Sequence, residues 1–172
     1  MNCFVIANPD KCIGCRTCMI ACVVAHNGEE MFYEKHEEIN FNPKLDVIKT
    51  ETVSAPIQCR HCEDAPCVKA CPNGAIGKID HTIKINISKC VGCKTCMVAC
   101  PIGAIDLSPI SNIDKDKLCF RGNMVANKCD LCIDTEDGPA CAKVCPTKAF
   151  RIIKEDDINN GVKDKRKLAT SI

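Results

Sequence analysis

Lys11 to Cys22 reads KCIGCRTCMIAC, and Lys89 to Cys100 reads KCVGCKTCMVAC. The two stretches agree at nine of twelve positions, and the other three are Ile/Val or Arg/Lys exchanges. They form an internal repeat. In both, the cysteines follow C-x2-C-x2-C-x3-C, with Gly14 or Gly92 between the first two. Working outward, two further blocks keep the rhythm but widen the gap before the third cysteine. Block one is Cys12, Cys15, Cys18 and Cys22, and block two is Cys59, Cys62, Cys67 and Cys71. Block three is Cys90, Cys93, Cys96 and Cys100, and block four is Cys129, Cys132, Cys141 and Cys145. Sixteen of the 18 cysteines are thereby used, leaving Cys3 and Cys119.

This spacing suits [4Fe–4S] clusters. In C-x2-C-x2-C-x3-C-P the first three thiolates hold one cubane and the fourth serves another. A tight loop can wrap three corners of a cube, and a glycine between the first two ligands keeps side chains away. Pro72, Pro101 and Pro146 follow the fourth cysteine in blocks two, three and four; Val23 takes that place in block one. Zinc competes, but four-ligand zinc knuckles leave the third cysteine of each triplet unexplained. Disulfides also compete, because cysteine is about a tenth of the chain. All sixteen block cysteines are therefore candidate cofactor and metal ligands, and no catalytic residue is expected. His26 and His61 lie beside the blocks, where all ligand places are already filled by cysteine.

Composition narrows the class. The chain has 172 residues, 3% aromatics and no Trp. The N-terminal residues show no basic segment followed by an apolar run, and Met19 to Ala25 is too short to span a bilayer. A cytoplasmic, reducing setting without a membrane anchor is the expectation. Formal charge is +1 with every cysteine counted neutral. Four clusters of about −2 each would bring the loaded chain to about −7. Lysine and arginine are dispersed apart from Lys163, Lys165, Arg166 and Lys167, so nucleic-acid binding is not expected. No G-x-G-x-x-G, G-x4-G-K or C-x3-C-x2-C run marks a separate substrate site.

The link from Cys71 to Cys90 is short and reads strand, turn, strand. It suits one compact two-cluster unit built from blocks two and three, with blocks one and four pairing around it. The expected fold is α+β: two pseudo-symmetric bacterial-type 2[4Fe–4S] ferredoxin units, the inner inserted in the outer. Residues 1–26 plus 120–153 would form the outer unit, 54–107 the inner unit, 27–53 and 108–119 inserts, and 154–172 a C-terminal tail. Cys12, Cys15 and Cys18 would take Cys145, while Cys129, Cys132 and Cys141 would take Cys22. Cys59, Cys62 and Cys67 would take Cys100, while Cys90, Cys93 and Cys96 would take Cys71. The rival arrangement pairs block one with two and block three with four. Strands are expected over 3–7, 75–79, 82–87 and 148–153. A short helix should follow each third cysteine, and Gly122-Asn123 should turn a hairpin within 108–127. The tail should be a frayed helix.

Residues 1–153 resemble the four-cluster electron-transfer subunits of molybdopterin oxidoreductases. The match lies in KCIGCRTC, CRHCEDAPCVKACPNGAI, CVGCKTCMVACPIGAI and NKCDLCIDTEDGPACAKVCPTKA. Within that family the chain is most similar to small subunits of formate hydrogenlyase and hydrogen-dependent CO2 reductase systems. The resemblance implies four [4Fe–4S] clusters strung as a wire, with no catalysis by this chain itself. It implies as partners a formate dehydrogenase catalytic subunit, a hydrogenase subunit and other ferredoxin-like subunits. Self-assembly into a filament through the tail is a further expectation. The alternatives are a free-standing soluble polyferredoxin, or a subunit of another molybdopterin oxidoreductase. Arg16, Arg60 and Lys94 lie within the cluster loops, where positive charge would stabilise reduced clusters.

Overall fold

The computed structural model describes residues 3–28, 32–33, 40–110, 124–135 and 138–171. Cys119, the Gly122-Asn123 turn and most of the charged stretch between Asn27 and Lys44 lie outside the described residues. Among the described residues, eight four-residue strands make four antiparallel pairs, with five α-helices and one 3-10 turn (Pro9–Lys11) interleaved.

β1 (Phe4–Ala7) pairs with β8 (Phe150–Ile153), setting Val5 opposite Ile152. The two ends of the cysteine-bearing region thus close on each other. β4 (Ile76–Ile79) and β5 (Thr82–Ile85) form a hairpin turned at Asp80 and His81, both at positive φ. β6 (Asp106–Pro109) pairs with β7 (Met124–Asn127), supplying the arms of the hairpin expected within 108–127. β2 (Asp46–Lys49) and β3 (Ser54–Ile57) form a hairpin that the sequence reading did not anticipate. It crosses the boundary drawn between 53 and 54.

The helices correct the sequence expectation in their placement. α1 (Thr17–Asn27), α2 (Pro66–Lys69), α3 (Thr95–Ala99) and α4 (Ala140–Val144) start before the third cysteine of each block and contain it. The third ligand therefore sits in a first helical turn, where unpaired N–H groups and the positive end of the helix favour an anion. α1 and α3 are entered through Arg16 and Lys94, both left-handed at φ 62° and 67°, so the sequence repeat is also a backbone repeat.

The tail is a continuous helix, α5 (Glu155–Ala169), with no buried residue. Glu155, Asp156 and Asp157 occupy its first turn and Arg166 and Lys167 its last, the arrangement that complements a helix dipole. The Lys154 N–H donates to the Asp157 carboxylate at 2.9 Å. No helix among the described residues is long and apolar enough to cross a membrane.

The interior is built largely on cysteine. One core joins Ala65, Cys67, Ile76, Ile83, Cys96, Ile105 and Ala126. A second joins Cys18, Cys22, Leu45, Val47 and Cys141. A third holds Val5, Cys59, Cys129 and Leu131, with Cys3 packed against it. Cys3, partly buried there, packs as a small apolar residue.

Candidate metal centre

The structure gathers the cysteines of blocks two and three in two fours. One recess is lined by Cys90, Cys93 and Cys96 of block three together with Cys71 of block two. A second is lined by Cys59, Cys62 and Cys67 together with Cys100. In each, the fourth thiol comes from the other block. Blocks one and four meet through α1 against α4, where Cys18, Cys22 and Cys141 share one core. Burial drives the Cys141 thiol well above its ordinary range, and the Cys129, Cys22 and Cys132 thiols push it further the same way. At the other end, Cys145 is a charged neighbour of Cys15.

Backbone N–H groups aim at these sulfurs. Ala75, Ala104 and Ala149 donate to Cys71, Cys100 and Cys145 at 3.2, 3.3 and 3.3 Å, each from four residues downstream. His61 and Leu131 donate to Cys59 and Cys129 at 3.4 and 3.5 Å, and Ala126 donates to Cys90 at 3.4 Å. Cys22 instead accepts the N–H of Lys44 at 3.3 Å. Such donors stabilise thiolate sulfur and tune a cluster bound to it.

The thiols divide by exposure. Cys15 and Cys93 are exposed, and hydroxyls of Thr17 and Thr95, each at 3.4 Å, hold both below their ordinary pKa. Burial pushes Cys18 and Cys67 up to about 11 and Cys129 up to about 12. A buried thiol of that kind stays protonated unless a metal takes the proton's place. The donor set therefore fits a group carrying iron. Cys3 and the sixteen block cysteines are all free, with no disulfide among them. The amide of Gln58 and Nε2 of His61 are also buried without a partner, both beside Cys59.

Gly14 and Gly92 earn their places by more than their distance from the ligands. Both have φ +67°. A Cβ on Gly92 would lie 2.4 Å from the Met124 carbonyl oxygen, and one on Gly14 would lie 2.9 Å from the Ser54 hydroxyl. The loops are pressed against neighbouring strands as well as toward the recess.

Sequence reading did not find the polar groups that bind the blocks to each other. His26 lies near the end of α1; its Nδ1 meets the Cys22 carbonyl at 2.7 Å and its Nε2 meets Asp130 at 3.0 Å. Lys44 bonds the same carboxylate at 2.8 Å. Burial works against a charged His26, but its bonds to Asp130 and Cys22 outweigh that and raise it to about 10. Asp130 is held well below the usual carboxylate range by the same partners, against its own burial. His26, Asp130 and Cys132 come close enough to hold an ion. The imidazole and carboxylate already satisfy each other there.

Of the loop cations, Arg16 and Lys94 are exposed. Arg60 instead bonds the Val5 carbonyl at 3.3 Å and lies 6.0 Å from the Phe4 ring, tying block two to β1.

Two family profiles, both described as "4Fe-4S dicluster domain", match residues 50–155 and 11–75. The chain belongs to the 4Fe-4S dicluster family. Three relatives frame it. The electron transport protein HydN of Escherichia coli is 43% identical over 170 residues, spanning 97% of each chain. Formate hydrogenlyase subunit 2 of the same species is 39% identical, over 98% of this chain and 90% of that one. Hydrogenase-4 component A is 37% identical, over 99% and 92%. This 4Fe-4S dicluster protein is thus an iron–sulfur electron-transfer protein.

Proposed function

We propose that the chain is a wire of four [4Fe–4S] clusters running between redox subunits, a formate dehydrogenase on one side and a hydrogenase on the other. The observation that carries this reading is the exchange of fourth cysteines: Cys71 lines the recess of the block-three triplet and Cys100 that of block two. Cys22 and Cys145 complete the block-four and block-one sets in the same way. The pairing of β1 with β8 around the β4–β5 hairpin favours an inner unit of blocks two and three nested in an outer unit of blocks one and four. It weighs against the rival pairing of block one with block two.

Each cluster supplies a one-electron carrier. The protein's own work is to hold thiolates, point N–H groups at them and keep water out. The exposed thiols Cys15 and Cys93 belong to the block-one and block-three sites, which are the natural ends of the wire. The sites of blocks two and four lie inside, sharing the core of Cys59 and Cys129. The names of the hydrogenlyase and hydrogenase relatives favour docking on such partner subunits. α5, exposed along its length with Ile158, Val162 and Leu168 on its surface, is the element we assign to docking on a neighbouring subunit or a second copy.

Anaerobic iron and sulfide analysis tests the cluster count, with about 16 Fe expected per chain. Anaerobic pull-down tests the wire: a formate dehydrogenase or a hydrogenase should co-purify. Full iron with neither partner would favour a free-standing polyferredoxin.

A further inference from the structure

Lys128 immediately precedes Cys129 and is buried, with 3% of its surface exposed. Its ammonium donates to the Cys129 carbonyl at 2.8 Å and to the Ile83 carbonyl. None of the ion pairs among the described residues involves it, and neighbouring Asp130 is committed to His26 and Lys44. An ammonium buried without an anion is expensive, so its compensation must come from elsewhere.

The surroundings indicate where. Ile83 is held from both sides: its carbonyl accepts from Lys128, and its N–H donates to Nδ1 of fully buried His61 at 3.0 Å. A hydrogen-bonded bridge therefore runs from the block-two loop, through one residue of β5, to the start of block four. Nδ1 of His61 accepts that N–H and so carries no proton, which leaves the ammonium of Lys128 as the positive group of this bridge. Ile83 also lines the recess of Cys59, Cys62, Cys67 and Cys100, so the ammonium is bonded to a wall of that site as well as to the backbone of Cys129.

We propose that Lys128 is the shared counter-charge of the two central clusters, one held by Cys59, Cys62, Cys67 and Cys100, the other by Cys129, Cys132, Cys141 and Cys22. In that role it raises the potentials of both above those of the two terminal sites. This rests on the ligand sets proposed above. Reduction of either site adds one negative charge beside the ammonium, and in low dielectric that addition is favoured. Passage between the two sites oxidises one by one electron and reduces the other by one, with no proton or atom displaced. The total charge facing Lys128 stays constant, so the bridge need not rearrange. Arg16 and Lys94 at the terminal sites are exposed and their influence is screened by water. An electron entering from either end thus settles at the centre.

The test is an anaerobic redox titration of the full chain followed by electron paramagnetic resonance, with Cys15→Ser and Cys93→Ser used separately to mark the terminal sites. Lys128→Met should retain about 16 Fe. It should lower the reduction constant about tenfold, or ~59 mV for one electron, at the two unmarked sites alone. Lys128→Arg should restore most of the shift. No shift, an equal shift at all four sites, or one confined to the marked sites overturns the proposal. If Lys128→Met does not fold, the Cys15→Ser and Cys93→Ser chains with Lys128 intact decide, by comparison with the wild type. The two signals they identify must be the last reduced as the potential is lowered, and reduction of either one before a central site overturns the proposal. Should Cys15→Ser and Cys93→Ser alter one and the same signal, the four-site reading itself fails, and this inference with it.

Discussion

Blocks one and three share nine of twelve residues, the same glycine and the same left-handed entry, yet their helices run eleven and five residues. The next residue along makes the difference. Pro101 disfavours helical backbone at the residue before it, and Cys100 is extended at φ −74°, ψ 115°. Pro146 has the same effect on Cys145, at φ −67°, ψ 112°. Val23 imposes nothing of the kind, so α1 continues to Asn27 and buries Val23 almost completely. The consequence reaches the sulfur. In block three the chain turns at Pro101 and brings the Ala104 N–H back to Cys100. In block one the residue four places on is His26, still helical, and Cys22 receives its N–H from Lys44. A missing proline exchanges a local donor for one twenty-two residues away, and it carries His26 to Asp130.

The comparison breaks most directly with Val23→Pro, which would give block one the ending of its twin. Proline in a helix interior costs about 3 kcal/mol, and the truncated helix would also lose the His26 contact. Denaturant unfolding should show a loss of that order, with iron bound to the block-four set reduced. A loss below about 1 kcal/mol, the size of an ordinary surface change, would mean that the extension is not what holds α1 in place.

Asp130→Ala tests the same extension from its far end. His26 and Lys44 would both be left half-buried without their carboxylate, an expected cost of about 2 kcal/mol. The exposed Lys69–Asp64 pair is the control, and Asp64→Ala should leave stability unchanged. The pH dependence has a definite sign. The folded-state pKa of His26 is raised, so its contribution is complete below the ordinary histidine value and lost as pH rises through about 10. The stability gap between the wild type and His26→Gln should therefore be constant below about pH 6.5 and close toward pH 10. A gap that closes between pH 6 and 7 would show an unpaired histidine.

Much of this was legible before any coordinates, and the rest was hidden for identifiable reasons. The cysteine spacing fixed the loops, and alternating apolar residues located β1, β4, β5 and β8. Asp46–Lys49 and Ser54–Ile57 were passed over because DVIK is half charged and SAPI contains proline, both poor strand signals. The length of α1 was readable from the absent proline, but only by treating the absence as permission for the helix to continue. His26 with Asp130, and His61 with Lys128, were not readable. The first two are 104 residues apart and the second two, joined only through Ile83, are 67 apart, and only the folded chain makes a buried lysine out of one that looks like any surface lysine. Two recesses bring Cys71 beside Cys90, Cys93 and Cys96, and Cys100 beside Cys59, Cys62 and Cys67, because the short 72–89 link leaves blocks two and three little room except side by side.

The smallest expected effect is the most discriminating, because it compares the two most similar positions in the chain. Gly14 and Gly92 have the same φ, so alanine at either meets the same backbone penalty of about 1–2 kcal/mol. They differ in what the new methyl would strike. At Gly14 the nearest atom is the Ser54 hydroxyl, which can rotate away. At Gly92 it is the Met124 carbonyl, fixed in β7 two residues before the Ala126 N–H that serves Cys90. Gly92→Ala should therefore be the more destabilising by about 1 kcal/mol, the lower end of the cost of overpacking. It should also disturb the block-three cluster signal, whereas Gly14→Ala should leave the block-one signal in place. Equal costs with both signals intact would mean that β7 yields as readily as a serine side chain. The close fit of the block-three loop against β7 would then contribute nothing to holding Cys90.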